Sequence, residues 1–329
     1  MISERGMYSI LPGKKRNYMN SKTREINKRK KAWNYFWANR YLYLLLFPCV
    51  VYFIVFNYVP MYGLILAFKD FKFSQGIMGS AWVGLENFKY IFKLENFYQV
   101  LGNSLYLSTL RLVFFFPIPV VLALAMNEVP FIRYKRFTQT MVYLPYFISW
   151  VVIGGILINL LSPSWGVINM AIKYFGGEPI FFMGSAKYFR GIAIISLIWK
   201  NAGWDTIIYL AAITSIDPEL YQAALIDGAS RLGRIWHITL PGIKTTIIIL
   251  LLLTIGNLMN NGFEQIYMLQ NGSNRFVSEV FETYTYRLGI VNGRFSFATT
   301  VGLFSSVVGF ILLMVANSIA KLTGEGGVF

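Results

Sequence analysis

Residues 221–241 read YQAALIDGASRLGRIWHITLP, a charged and small-residue segment set between two long apolar runs. Just before it, residues 214–216 end one apolar run. Asp217, Pro218 and Glu219 then give a helix start, with proline in the first turn and acids near the positive helix end. A short helix over 219–226 follows. Asp227, Gly228 and Ala229 interrupt it, and Ser230 is placed to cap a second short helix that carries Arg231, Leu232, Ile235 and Trp236 toward Thr239. Pro241 is expected to start the next apolar run. Small side chains at Ala223, Ala224, Gly228 and Ala229 let a partner's backbone approach closely, while Gln222, Asp227 and Arg231 offer polar contacts. A docking surface and an ordinary tight loop both account for this pattern.

The runs on either side set the fold class. With 56% apolar and only 14% charged residues over 329 positions, and a mean hydropathy of +0.51, the chain is too apolar for a soluble domain of its size. Crossing the hydrocarbon layer takes about 20 apolar residues in a helix, because open backbone in lipid leaves amides unpaired. Six stretches meet that requirement: 41–66, 105–126, 141–161, 191–213, 245–258 with an extension toward Phe263, and 297–320. The expected architecture is an all-α polytopic membrane protein with six transmembrane helices over 41–320, a basic tail over 1–40 and a short tail over 321–329.

Charge orients those spans. Met1 to Arg40 holds eleven of the thirty Lys and Arg residues against Glu4 and Glu25 only, so most of the formal +15 sits in one tail and does not signal nucleic-acid binding. That tail holds the first span on the cytoplasmic side, and its cluster Lys28, Arg29, Lys30, Lys31 is also suited to anionic lipid headgroups. It lacks the short basic region and the cleavage site of a signal peptide. With both termini, 128–137 and 214–244 in the cytosol, that side carries eighteen Lys and Arg against ten outside. The single cysteine, Cys49, has no disulfide partner in the chain, and one thiol makes no zinc site. Outside, WVGLENFKYIFKLENFYQVL spaces Leu85, Phe88, Ile91, Phe92 and Phe97 as one amphipathic helix lying at the interface.

The segment over 221–241 resembles the EAA loop of binding-protein-dependent ABC importer permeases, written E-A-A, three residues, G, nine residues, I-x-L-P. Gln222, Ala223 and Ala224 are followed after three residues by Gly228, and after nine by Ile238, Leu240 and Pro241. Gln222 stands where the pattern has glutamate, which leaves hydrogen bonding but no carboxylate there. YVPMYGLILAFKDF at 58–71, WVGLENF at 82–88, and Trp165, Gly166 and Asn169 extend the resemblance to the six-span sugar-importer permeases, in particular the polysaccharide and complex-oligosaccharide branch. The resemblance implies a type I importer permease fold in a bacterial cell membrane. It also implies that 217–241 is a cytoplasmic coupling helix pair contacting an ATP-hydrolysing partner through Tyr221, Gln222, Ala223, Ala224, Asp227, Gly228, Ala229, Arg231, Leu240 and Pro241. Implied partners are a second homologous permease, two ATPase subunits carrying ATP and Mg, and an extracytoplasmic solute-binding protein, with no cofactor on this chain. Transport follows as alternating access by rigid-body motion.

The chain's own chemistry fits a transport role. Lys244 in PGIKTT looks like the end of a phosphate loop, but that pattern needs glycine at 243 and 238, where isoleucines stand. Polar groups within spans are costly in lipid and are expected to face a cavity or another helix. The fourth span holds Trp199, Asn201, Trp204, Asp205 and Tyr209; the fifth ends in Asn257, Asn260, Asn261, Phe263, Glu264 and Gln265. Amides hydrogen-bond sugar hydroxyls and aromatic faces cover a pyranose ring, so these residues are candidates for a glycan path. Interface belts of Trp and Tyr, and asparagines that join helices, are the competing account. Arg111 is expected to snorkel outward or to pair with a carboxylate, His237 to be a packing residue, and Pro117, Pro119 and Pro145 to kink their helices. A non-sugar ABC permease is the alternative within the class. An ion-coupled secondary transporter is less well matched, because Asp205 is the clearest intramembrane carboxylate. A membrane enzyme would need clustered His, Asp or Glu, and the chain has one histidine.

Overall fold

The computed structural model describes residues 37–322 together with Trp33 and Tyr35. The basic cluster at 28–31 and most of both expected tails lie outside the described residues. Contacts group the chain into two units that divide after Leu64. The first holds α1 (Arg40–Phe53), which begins a helical run over Arg40–Phe68 that is 29 residues long and apolar enough to cross a membrane.

After Phe68 the second unit has a pair of two-residue strands, β1 (Lys69–Asp70) against β2 (Ala81–Trp82), antiparallel with Lys69 opposite Trp82. The principal elements that follow are helices: α2 (Glu86–Ile91), α3 (Glu95–Leu110) running on into α4 (Pro117–Asn127), α5 (Ile132–Tyr143), α6 (Trp150–Leu160), α7 (Val167–Tyr174), α8 (Ala186–Thr214), α9 (Pro218–Ile226), α10 (Arg231–Arg234), α11 (Lys244–Gly256), α12 (Phe263–Leu269), α13 (Phe281–Tyr286) and α14 (Phe295–Leu322). Among the described residues, three helices are long and apolar enough to span: 40–68, 95–127 and 295–322. Two bent pairs raise the number to as many as five. The fourth expected span, α8, is 29 residues long but falls outside that group because it carries Lys187, Arg190, Lys200 and Asp205.

Proline accounts for a recurring detail. Pro60, Pro117 and Pro241 each follow by two residues a π-helical turn, at 54–58, 111–115 and 235–239. A proline has no N–H for the usual i→i−4 bond, and the preceding turn widens instead; Phe116 N donates to Arg111 O, five residues back. The expected kink at Pro117 is therefore a widened turn that begins at Arg111.

Three expected boundaries change. The single helix expected within 82–101 is broken over Phe92–Leu94. Ile91 and Phe97 are fully buried with Phe281, Tyr284 and Val301, because the second half is the first turn of the span α3–α4. The third span bends by 96° between Phe147 and Trp150, and the fifth by 60° at Ile243, so α11 starts at Lys244 rather than Pro241. The sharper bend exposes carbonyls that lipid cannot satisfy, and Lys200 answers it. Its Nζ donates to Tyr146 O at 2.6 Å and to Ile148 O, beside the Tyr146 and Trp150 rings. Gly203 lets α8 approach: a Cβ there would sit 2.0 Å from Val142 O.

Candidate functional site

The segment 217–241 is built from local signals. Asp217 caps α9 by accepting from Glu219 N at 2.9 Å, with Pro218 in the first turn. Gly228, at φ +74, ends that helix in the left-handed conformation that glycine adopts without strain, and Ala229 N closes the turn on Ala224 O at 2.8 Å. Ser230 accepts from Gly233 N at 3.1 Å and starts α10. The two limbs are tied by Tyr221 Oη and Thr239 Oγ1 at 3.0 Å. Gln222, Ala223, Asp227, Gly228, Arg231 and Pro241 are exposed, whereas Tyr221, Ala224, Ala229 and Leu240 are half-buried. Around them Leu220, Leu225, Ile226, Leu232 and Trp236 stand open, Ile226 at 87% exposure, an apolar surface of the kind that marks a protein interface. His237 is exposed rather than packed, its Nδ1 2.9 Å from Gly233 O.

A cavity of about 380 Å³ lies between α8 and the end of α11, within the usual ~300–1,000 Å³ of small-molecule pockets. Asn201, Asp205 and Tyr209, spaced four residues apart, line it along one face of α8; Asn257 and Asn260 line it from the turn that ends α11. These five are the candidate path residues that the structure brings together. The other six lie elsewhere. Trp204 stacks on Tyr146 at 4.4 Å over the α5–α6 bend, and Trp199 lines a separate apolar cavity with Ile195 and Tyr188. Phe263 packs with Tyr267 and Tyr286, and Glu264 is exposed. Asn261 and Gln265 are fully buried and hold the turn in place.

That turn, 257–262, breaks a span, and its backbone groups are met by side chains from distant segments. Arg111 donates to Asn261 O, to Gln265 Oε1 at 2.8 Å and to Asn260 O at 3.4 Å. Ser108 donates to Leu258 O, and Asn261 N donates to Glu282 Oε1 at 2.6 Å. Gln265 Nε2 donates to Ala193 O at 2.6 Å and Ser196 Oγ at 3.1 Å, locking α12 to α8. Of the two expectations for Arg111, an outward snorkel or a carboxylate partner, it follows neither: it turns inward and its hydrogen-bond partners are backbone and amide oxygens. Arg111 also lines the cavity, as do Ser108, Phe115 and Thr254, which escaped the sequence reading. Arg111 carried a usable signal, since an ionisable residue in an apolar run has to find a partner inside the protein. Among the described residues no cluster of three or more His, Cys, Asp or Glu could hold a metal.

A bundle of broken apolar helices with a cavity at the break into which a few amides and a carboxylate converge, and an exposed helix pair at one end, fits a membrane-embedded transport subunit. Comparison with known proteins makes the assignment specific. The chain belongs to the family of binding-protein-dependent transport system inner membrane components, whose family model matches residues 116–322. It is 48% identical over 302 residues to the polygalacturonan/rhamnogalacturonan transport system permease protein YteP of Bacillus subtilis (strain 168), covering 92% of this chain and 94% of that one. It is 47% identical over 291 residues to protein LplB of the same organism, covering 88% and 92%. A chain in a crystal structure of a bacterial alginate ABC transporter in complex with alginate pentasaccharide-bound periplasmic protein superposes with a TM-score of 0.82 and 40% identity, covering 90% of this chain and 99% of that one. The protein is accordingly a permease subunit of an ABC importer and not an enzyme, and ATP hydrolysis belongs to a separate subunit.

Proposed function

We propose that this permease carries an oligosaccharide or polysaccharide fragment, delivered by an extracytoplasmic solute-binding protein, through the cavity between α8 and the 257–262 turn. The observation that carries this reading is the convergence of Asn201, Asp205, Tyr209, Asn257 and Asn260 on one space inside the spanning region. Amides and a carboxylate suit sugar hydroxyls, and the Tyr209 ring suits the C–H face of a pyranose. The relatives named for polygalacturonan, rhamnogalacturonan and alginate support a glycan over another solute.

In this reading the exposed face of 217–241 docks on the ATPase partner, with Gln222, Ala223, Asp227, Gly228 and Arg231 outermost. Two ATPase subunits supply ATP and Mg, and a second homologous permease completes the pathway, in a bacterial inner membrane with both termini of this chain in the cytosol. The Lys and Arg excess of that side, most of it in the tail over 1–40, supports the orientation. The test is uptake of labelled glycan by the complete importer in which Asn257 and Asn260 are both changed to alanine. Uptake is expected to fall at least about tenfold, the worth of one or two lost hydrogen bonds, while the ATPase copurifies as before. Unchanged uptake would remove these asparagines from the path.

A further inference from the structure

Asn257 and Asn260 belong to two cavities at once. Besides the space they share with α8, they line a second, open cleft of about 350 Å³ whose other walls are α13 and α14. Glu282 and Thr285 reach it from α13, Gly302 and Ser305 from α14. One end of the cleft is closed by glycine contact: a Cβ at Gly309 would stand 2.8 Å from Gly256 O, so α11 and α14 touch there. At Gly302, two turns nearer the start of α14, a Cβ would meet nothing within 4 Å, and the wall stands open.

The polar groups on these walls have bonding capacity left over. The hydroxyls of Thr285 and Ser305 have no hydrogen-bond partner among the described residues, and both residues are half-buried. Asn260 uses its Oδ1 on Gly262 N at 3.1 Å, and Asn257 its Nδ2 on Leu253 O at 3.1 Å, which leaves one amide nitrogen and one amide oxygen. Glu282 accepts from Asn261 N with Oε1, while its Oε2 is buried without a partner. No lysine, arginine or histidine is among the lining residues.

An acyl chain in this cleft would leave all of those groups unmet, at a cost. A hydroxyl-rich ligand both donates and accepts, and so matches hydroxyls, amides and a carboxylate oxygen together. We propose that this cleft is a second sugar subsite, joined to the first cavity through Asn257 and Asn260, so that the permease holds consecutive units of one glycan and selects chains over single sugars. Thr285 and Ser305 meet hydroxyls of the second unit. The last torsion of a glutamate is soft, so a hydroxyl in the cleft can draw Glu282 Oε2 toward it and supply the missing donor. The inference rests on the reading of the protein as a glycan permease and extends it from one cavity to two.

The experiment follows maleimide labelling in the complete importer, with binding protein and ATP, after the chain's single cysteine is removed by Cys49→Ser. In that background Ser305→Cys reports on the cleft and Thr254→Cys on the first cavity. The sugars are single units and tetramers prepared from polygalacturonan, rhamnogalacturonan and alginate. Tetramers are expected to slow labelling of both thiols about tenfold, as for sites occupied nine-tenths of the time, whereas single units slow only Thr254→Cys. Gly302→Leu, whose side chain enters open space, is expected to lower tetramer uptake about tenfold, the loss of one or two hydrogen bonds, with Thr254→Cys still protected. Tetramer protection of Thr254→Cys alone, equal protection of both thiols by single units, or uptake untouched by Gly302→Leu would overturn the second subsite and leave the first standing. So would a Ser305→Cys thiol that stays unlabelled without sugar, because another polypeptide would then fill the cleft. If no sugar protects either thiol, the glycan reading itself fails, and this inference with it.

Discussion

The proposed coupling segment 217–241 and the broken-span turn 257–262 are separated by fifteen residues, thirteen of them in α11, and are built differently. In the coupling segment every stabilising hydrogen bond is short in sequence. Asp217 caps its own helix, Ser230 caps the next, and the longest link, Tyr221 to Thr239, crosses eighteen residues. In the turn, local bonds such as Asn260 N to Asn257 O and Gly262 N to Asn260 Oδ1 are joined by remote ones: Ser108 and Arg111 reach across about 150 residues, and Glu282 across 21. The difference follows from the solvent. At an exposed end water satisfies what the chain does not, so a local code suffices. Inside the spanning region each freed carbonyl needs a protein donor, which has to come from another helix. The surface is thereby free to bind a partner and rearrange, while the turn is fixed.

The comparison can be broken most directly at Arg111. Arg111→Ala removes the donor for two backbone carbonyls and Gln265 at once, and is expected to destabilise the folded importer by about 3–5 kcal/mol, as for a disrupted buried charge network. Thermal unfolding of the purified complex in detergent would show it, and a melting point within a degree or two of the unmodified protein would contradict the tertiary account of the turn. Gly203→Ala comes next. Its Cβ would meet Val142 O at 2.0 Å and force α8 from the α5–α6 bend, at a cost of about 1–3 kcal/mol read the same way.

The coupling segment should respond differently. Gly228→Asp places a side chain at φ +74 in open space, so the strain is only about 1 kcal/mol and insertion is retained. The proposed docking is expected to fail nonetheless, seen as loss of the ATPase on copurification. Normal copurification would count against Gly228 as a contact. The smallest effect belongs to Ser230→Ala, which removes one cap worth about 1 kcal/mol from an exposed four-residue helix. Uptake should drop a few-fold with no change in melting point, and a lowered melting point would mean that the coupling segment helps to stabilise the bundle.

Much of this molecule was legible from its residues. The apolar runs located the long helices at 40–68, 95–127 and 295–322, because hydrocarbon admits few alternatives to a helix. The punctuation of Asp217, Pro218, Gly228 and Ser230 located both coupling helices to within a residue, because caps and left-handed turns are set by neighbours in sequence. The spacing from Gln222 to Pro241 pointed to the family that the comparisons establish.

Other features depended on which helices meet. Asn257 and Asn260 look like Asn261 in the sequence, yet two face the cavity and the third is buried on Ser104 and Ser108. Trp204 looks like a sugar platform and is the cover of a bend. Periodicity gives the face of a helix but not the neighbour opposite it, so only the packed structure could separate a side chain that lines the path from one that holds the path open.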